Sequence, residues 1–148
     1  MIVEVCVDSV ESAVAAQAGG ADRVELCAAL LEGGFTLSAG AMEEARKRLS
    51  IGIQMMVRPR GGDFLYSDLE FEIMQRDVDL AKRAGANGVV FGILDREGAV
   101  DADRTRQLVE RARPMNVTFH RAFDMVRDLF EALEMLVRLG VDRIFTSG

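Results

Sequence analysis

Gly20-Ala21-Asp22-Arg23-Val24-Glu25-Leu26-Cys27 reads as a helix end, a turn and a strand in immediate succession. The glycine suits the left-handed conformation that closes a helix, and the short run after it has the length and bounds of a buried strand. The arrangement recurs at Gly85-Ala86-Asn87-Gly88-Val89-Val90-Phe91-Gly92 and at Gly140-Val141-Asp142-Arg143-Ile144-Phe145-Thr146-Ser147. In the first copy Val24 and Leu26 alternate with Glu25 and Cys27. One face of that strand is therefore apolar, and the other carries a carboxylate and a thiol.

Three further strands lack this signature, over residues 2–8, 53–58 and 116–121, which makes six. The intervening segments have helical periodicity: Val10, Val14 and Ala18; Met42, Ala45 and Leu49; Phe71, Met74, Val78 and Ala81; Leu108 and Ala112; Phe130, Leu133 and Leu136. Asp8 with Glu11, and Ser67 with Glu70, have the spacing of a capping box. Strict alternation of strand and helix means a parallel sheet with right-handed crossovers, closed as a barrel or left open and doubly wound.

The side-chain pattern separates the two closures. With Val3, Val5 and Val7 facing helices, Glu4, Cys6 and Asp8 face the other way, and the same rule turns Glu25, Cys27, Gln54, Met56, Arg58, Thr118 and His120 inward. A doubly wound sheet covers both faces with apolar helices and has no place for Glu4 and Glu25 on neighbouring strands. The interior of a barrel accepts polar groups toward the carboxyl ends of its strands. The expected fold is a TIM-type (β/α)8 barrel, incomplete here, with about six strands and five helices in a single domain over residues 1–148.

Composition narrows the function. The 148 residues are 49% hydrophobic and 28% charged, ordinary for one globular domain, and the net charge of −6 opposes binding to phosphate backbones or anionic lipid. Nucleic acid and membranes are not expected partners. The opening residues are too few and too acidic for a signal peptide, and no apolar run approaches the ~18 residues of a membrane span, so the chain is expected in the cytoplasm. Its two cysteines form no disulfide framework.

The carboxyl ends of barrel strands are where ligands sit, and two segments there run from apolar residues straight into charge: Val57-Arg58-Pro59-Arg60-Gly61-Gly62-Asp63-Phe64 and Thr118-Phe119-His120-Arg121-Ala122-Phe123-Asp124. Arg58 and Arg60 flank a stiffening proline and could clamp a carboxylate or phosphate, with Arg121 and Asp124 on the neighbouring rim. His120, the single histidine, has an ordinary titration range suited to proton transfer, and Glu4 and Glu25 could orient it or take the proton. The plainer readings are an ion pair of Arg58 with Glu4 or Glu25, a satisfied core imidazole at His120, and a helix cap at Asp124. Both lysines, Lys47 and Lys82, fall in helices, so no Schiff-base nucleophile faces the interior. No phosphate loop or dinucleotide fingerprint is present, and no nucleotide cofactor is expected.

These motifs, with Val24-Glu25-Leu26-Cys27, Gly88-Val89-Val90-Phe91-Gly92 and Thr146-Ser147-Gly148, resemble the CutC family, named for copper homeostasis, and the resemblance runs from Met1 to Gly148. It implies an eight-stranded barrel in the cytoplasm that binds copper. Cytosolic copper is Cu(I), which prefers thiolate and thioether, and Cys6, Cys27 and Met56 lie inward on consecutive strands. The alternative is a barrel enzyme acting on a small anionic substrate by acid/base chemistry. A complete barrel needs ~250 residues, so the chain is expected to be part of a longer protein, or closed by a partner, and to associate through its open sheet edges as a homo-oligomer.

Overall fold

The glycines that punctuate the sequence do what the pattern requires of them. In the computed structural model, which describes residues 1–147, Gly20, Gly85 and Gly140 have φ of 92°, 84° and 76°, a region that side chains with a Cβ rarely adopt. Each ends a helix and turns the chain into the next strand.

Among the described residues six parallel strands form one sheet in sequence order, a half-barrel with five helices. The strands are β1 (Glu4–Val7), β2 (Arg23–Leu26), β3 (Gly52–Met56), β4 (Gly88–Phe91), β5 (Asn116–Phe119) and β6 (Arg143–Ile144). The helices are α1 (Val10–Ala18), α2 (Ala39–Arg48), α3 (Asp68–Arg83), α4 (Ala102–Ala112) and α5 (Leu129–Arg138). Register is continuous from strand to strand, with Cys6 beside Glu25, Glu25 beside Gln54, and Gln54 beside Gly88. The strands are shorter than the sequence suggests. Beyond Met56 and Phe119 the chain leaves the ladder, so Arg58 and His120 sit just past the strand ends.

The core lies between the convex face of the sheet and the helices. Val24, Leu26, Ile53, Met55, Val89, Phe91, Val117 and Phe119 are buried against Met42, Ala45, Met74, Val78, Ala81, Leu108 and Leu136. Each large apolar side chain buried in this way stabilises the fold by roughly 1.5–3 kcal/mol. The expected apolar faces of α2, α3 and α4 are the buried ones. The two end helices differ. In α1 Val14 is exposed and Ala13 is buried; in α5 Phe130 and Leu133 are exposed, while Ala132 and Leu136 face the sheet.

Helix starts follow local chemistry. Ser67 and Glu70 form the capping box on α3. At α1 the cap is Ser9, whose hydroxyl accepts from the Ser12 N–H at 3.0 Å, and not Asp8. The two candidates are adjacent, and the backbone of Ser9 has the extended cap conformation. No helix among the described residues is long and apolar enough to cross a membrane.

Candidate functional site

On the concave side of the sheet, Glu4, Cys6, Arg23, Glu25 and Met56 line a cavity of about 620 Å³. Toward the amino ends of the strands Glu4 pairs with Arg23. Beside them Arg143 donates from Nε to the Thr118 hydroxyl at 3.0 Å and from Nη2 to Gln54 Oε1 at 2.7 Å. Higher up lie Cys6, Glu25, Cys27 and Met56, and at the carboxyl rim Arg58, Phe64, His120 and Arg121. Gly88 in β4 and Gly92 just past its end make room for neighbouring side chains by having none of their own. A Cβ on Gly88 would overlap Gln54 Oε1, and one on Gly92 would stand 2.5 Å from His120 Nδ1.

Arg58 is 1% exposed and its charge is met by backbone. Its Nη1 donates to the carbonyls of Glu32 and Gly34, each at 3.2 Å, and its Nη2 to Gly62 at 3.1 Å. The expected ion pair with Glu4 or Glu25 does not form, because Glu4 is taken by Arg23 and the loop carbonyls reach the guanidinium first. The arginine fastens the loops after β2 and β3 to each other.

His120 is 3% exposed, and its Nδ1 accepts from the Ala122 N–H at 3.2 Å. That bond fixes the tautomer with the proton on Nε2, and Nε2 has no protein partner. Burial, reinforced by the nearby charge of Arg58, pushes the imidazole pKa down to about 3. His120 is therefore neutral near pH 7 and offers one N–H; its ordinary titration range does not survive in this environment.

Burial raises the Glu25 carboxyl above its usual range, and a hydrogen bond from Cys6 only partly offsets this. Cys6 has one S–H and two acceptors in reach, Glu25 Oε1 at 3.2 Å and the Cys27 sulfur. That contact with Cys27 raises the Cys6 pKa and lowers the Cys27 pKa. A Cβ on Gly34 would lie 3.3 Å from Cys27 Sγ and 3.5 Å from Met56 Cε, so the second thiol and the thioether border one small space.

Of the expected site residues, Glu4, Cys6, Glu25, Met56, Arg58, His120 and Arg121 line the one cavity, and Cys27 lies directly behind it against Met56. Arg60 does not. It turns to the outer side, donating to Glu70 Oε1 at 2.7 Å and to the Leu65 carbonyl at 2.7 Å, with its guanidinium over Tyr66. Asp124 is also outside the cavity, accepting from the Ser147 N–H and hydroxyl at 3.0 and 2.6 Å; the cap of α5 is Asp128. Arg23, Phe64 and Phe145 went unread as cavity residues. Extending the alternation one step back along β2 finds Arg23, and carrying it past β6 finds Phe145. Phe64 lies in a loop, where no period applies. Among the described residues no set of three or more His, Cys, Asp or Glu side chains is placed to hold a metal ion.

Comparison with known proteins gives this geometry its context. Copper homeostasis protein cutC homologs of Mus musculus and Homo sapiens are 55% and 54% identical to it over 99% of this chain. The chain spans about half the length of these curated relatives, 54% in each case. A solved structure of CutC from Streptococcus agalactiae superposes with a TM-score of 0.94 at 35% identity, covering 100% of this chain and 73% of that one. A 2,3-dimethylmalate lyase superposes with a TM-score of 0.68 at 17% identity, over 99% of this chain and 57% of that one, which speaks to the fold alone. The CutC family model matches residues 1–148, and the chain belongs to the CutC family.

Proposed function

We propose that the cavity binds Cu(I) as cargo, through the sulfurs of Cys6 and Cys27 with Met56 as a third, weaker ligand, in the cytoplasm. The observation that carries this reading is the convergence of two thiols and a thioether from three adjacent strands, with Cys6 in contact with Cys27. Two thiolates suffice for a near-linear Cu(I) site, and soft ligands select that ion over zinc or magnesium. The names of the relatives point to the same metal. Binding displaces the thiol protons, so affinity should rise with pH.

Competition against a colorimetric Cu(I) chelator tests the proposal. Cys6→Ser and Cys27→Ser should each weaken binding at least about tenfold, which is 1.4 kcal/mol. Met56→Leu should have a smaller effect. A folded double-serine variant that retains wild-type affinity would remove the proposal.

A second reading, acid/base chemistry on a small anionic substrate, is favoured by Glu25. Its raised pKa suits a proton donor, and the His120 N–H could polarise a substrate carbonyl nearby. Turnover of small carboxylic acids, followed by proton NMR, is then expected for the wild-type chain and lost in Glu25→Gln.

A further inference from the structure

Two guanidinium groups meet at the rim of the cavity with no carboxylate between them. A Cβ on Gly33 would lie 2.6 Å from Arg121 Nη2 and 3.1 Å from Arg58 Nη1, so both cations border one point. The Phe64 ring lies beneath both, 5.2 Å from the Arg58 guanidinium carbon and 5.7 Å from that of Arg121, and its centroid is 4.9 Å from that of His120. Arg58 donates from Nη1 and Nη2 to loop carbonyls, its Nε–H has no partner, and its positive charge is left without an opposite one. Arg121 is exposed, and no hydrogen bond or ion pair engages it among the described residues. Beside them is the buried Nε2–H of His120, with no protein partner. Like charges held this close repel, and a buried donor without an acceptor costs about 1–3 kcal/mol. One bound oxyanion removes both penalties.

We infer that this end of the cavity is a binding site for a small carboxylate, gripped by the Arg121 guanidinium and the Nε2–H of His120 above the face of Phe64. A carboxylate matches the planar fork of arginine through two parallel hydrogen bonds, and one lone pair remains for the imidazole N–H. Of the buried donors without a partner, His120 Nε2 and Arg58 Nε are the two that belong to residues lining this cavity, too few for the four oxygens of a phosphate. Leu30 and Phe145 supply an apolar wall for the body of the ligand. The inference deepens the acid/base reading and rests on it for the use of the cavity, but binding requires no turnover.

Calorimetric titration of the 148-residue chain with acetate, benzoate and inorganic phosphate tests it. Saturable carboxylate binding is expected, weakened at least about tenfold in Arg121→Ala and unchanged in Arg60→Ala, whose arginine faces the other way. Because Arg121 is exposed and unbonded, its removal should leave the fold intact, as circular dichroism will check. Absence of saturable carboxylate binding, equal affinity in Arg121→Ala, or tighter binding of phosphate than of either carboxylate overturns the inference. Carboxylate binding without turnover of any acid would support it while removing the acid/base reading.

Discussion

His120 shows how far a residue's environment can displace its ordinary chemistry. Its folded pKa of about 3 lies below the ordinary imidazole value of 6.5, so between those values the unfolded chain binds a proton that the folded one refuses. The stability this imidazole contributes is complete above pH 6.5 and is lost as pH falls toward 3, with a slope of at most about 1.36 kcal/mol per pH unit. Glu25, shifted upward, has the opposite slope as pH falls toward its unfolded value. The test is therefore a difference. Urea midpoints of wild type and His120→Gln, measured from pH 7 to 5, should diverge, with the variant losing less stability in acid; parallel curves would contradict the assignment. Gly92 is the steric counterpart. Gly92→Ala places a methyl 2.5 Å from His120 Nδ1 and 2.7 Å from the Ala122 Cβ, which should cost about 1–3 kcal/mol in urea unfolding. Gly40→Ala in α2 meets nothing within 4 Å and should stabilise by up to about 1 kcal/mol. At this scale the alternation of residues along β1, β2, β3 and β5 placed nearly every inward group correctly. Arg60, expected at the site because it flanks Pro59 with Arg58, lies in the loop after β3, where Glu70 and the Leu65 carbonyl hold its guanidinium away from the cavity. Gly88 and Gly92, at the two ends of β4, were visible in the sequence, but what they make room for depends on the neighbouring strands.

Helix ends were legible where side-chain chemistry allowed one choice. Ser67 with Glu70 satisfies two backbone donors reciprocally, and Ser67→Ala should cost about 1 kcal/mol. At α1 two cap-forming residues stand side by side, and only backbone geometry selects Ser9. Ser9→Ala should therefore cost about 1 kcal/mol and Asp8→Ala a few tenths; the reverse order in thermal unfolding would restore Asp8 as the cap. Buried faces were legible for α2, α3 and α4, which have a helix on either side. In α1 and α5, the helices at the two ends of the sheet, Val10 and Leu136 pack as read but Val14, Phe130 and Leu133 do not, because an apolar residue there has fewer neighbours to pack against.

The same end effects set the behaviour of the whole molecule. Strand β1 pairs with β2 alone and β6 with β5 alone, so among the described residues both edges of the sheet carry unpaired backbone groups. Beside β6 the outer face of α5 presents Phe130, which is 83% exposed, together with Leu133 and Val137. These lie three and seven positions along from Phe130, on one face of the helix. Beside β1 the exposed residues are Ile2, Val3 and Val14. Apolar patches of this kind are uncommon on monomers that stay apart, and open edges recruit further strands. The net charge of −6 is modest for a chain of this size and opposes association only weakly. The 148-residue chain should therefore self-associate with rising concentration in sedimentation velocity. Phe130→Ser combined with Val137→Asp should shift it toward monomer while changing unfolding stability by only about 0.5 kcal/mol per site, because both side chains already face water. A chain that stays monomeric at every concentration, or a double variant that associates as the wild type does, would show that these surfaces are tolerated in water and that the half-barrel stands alone.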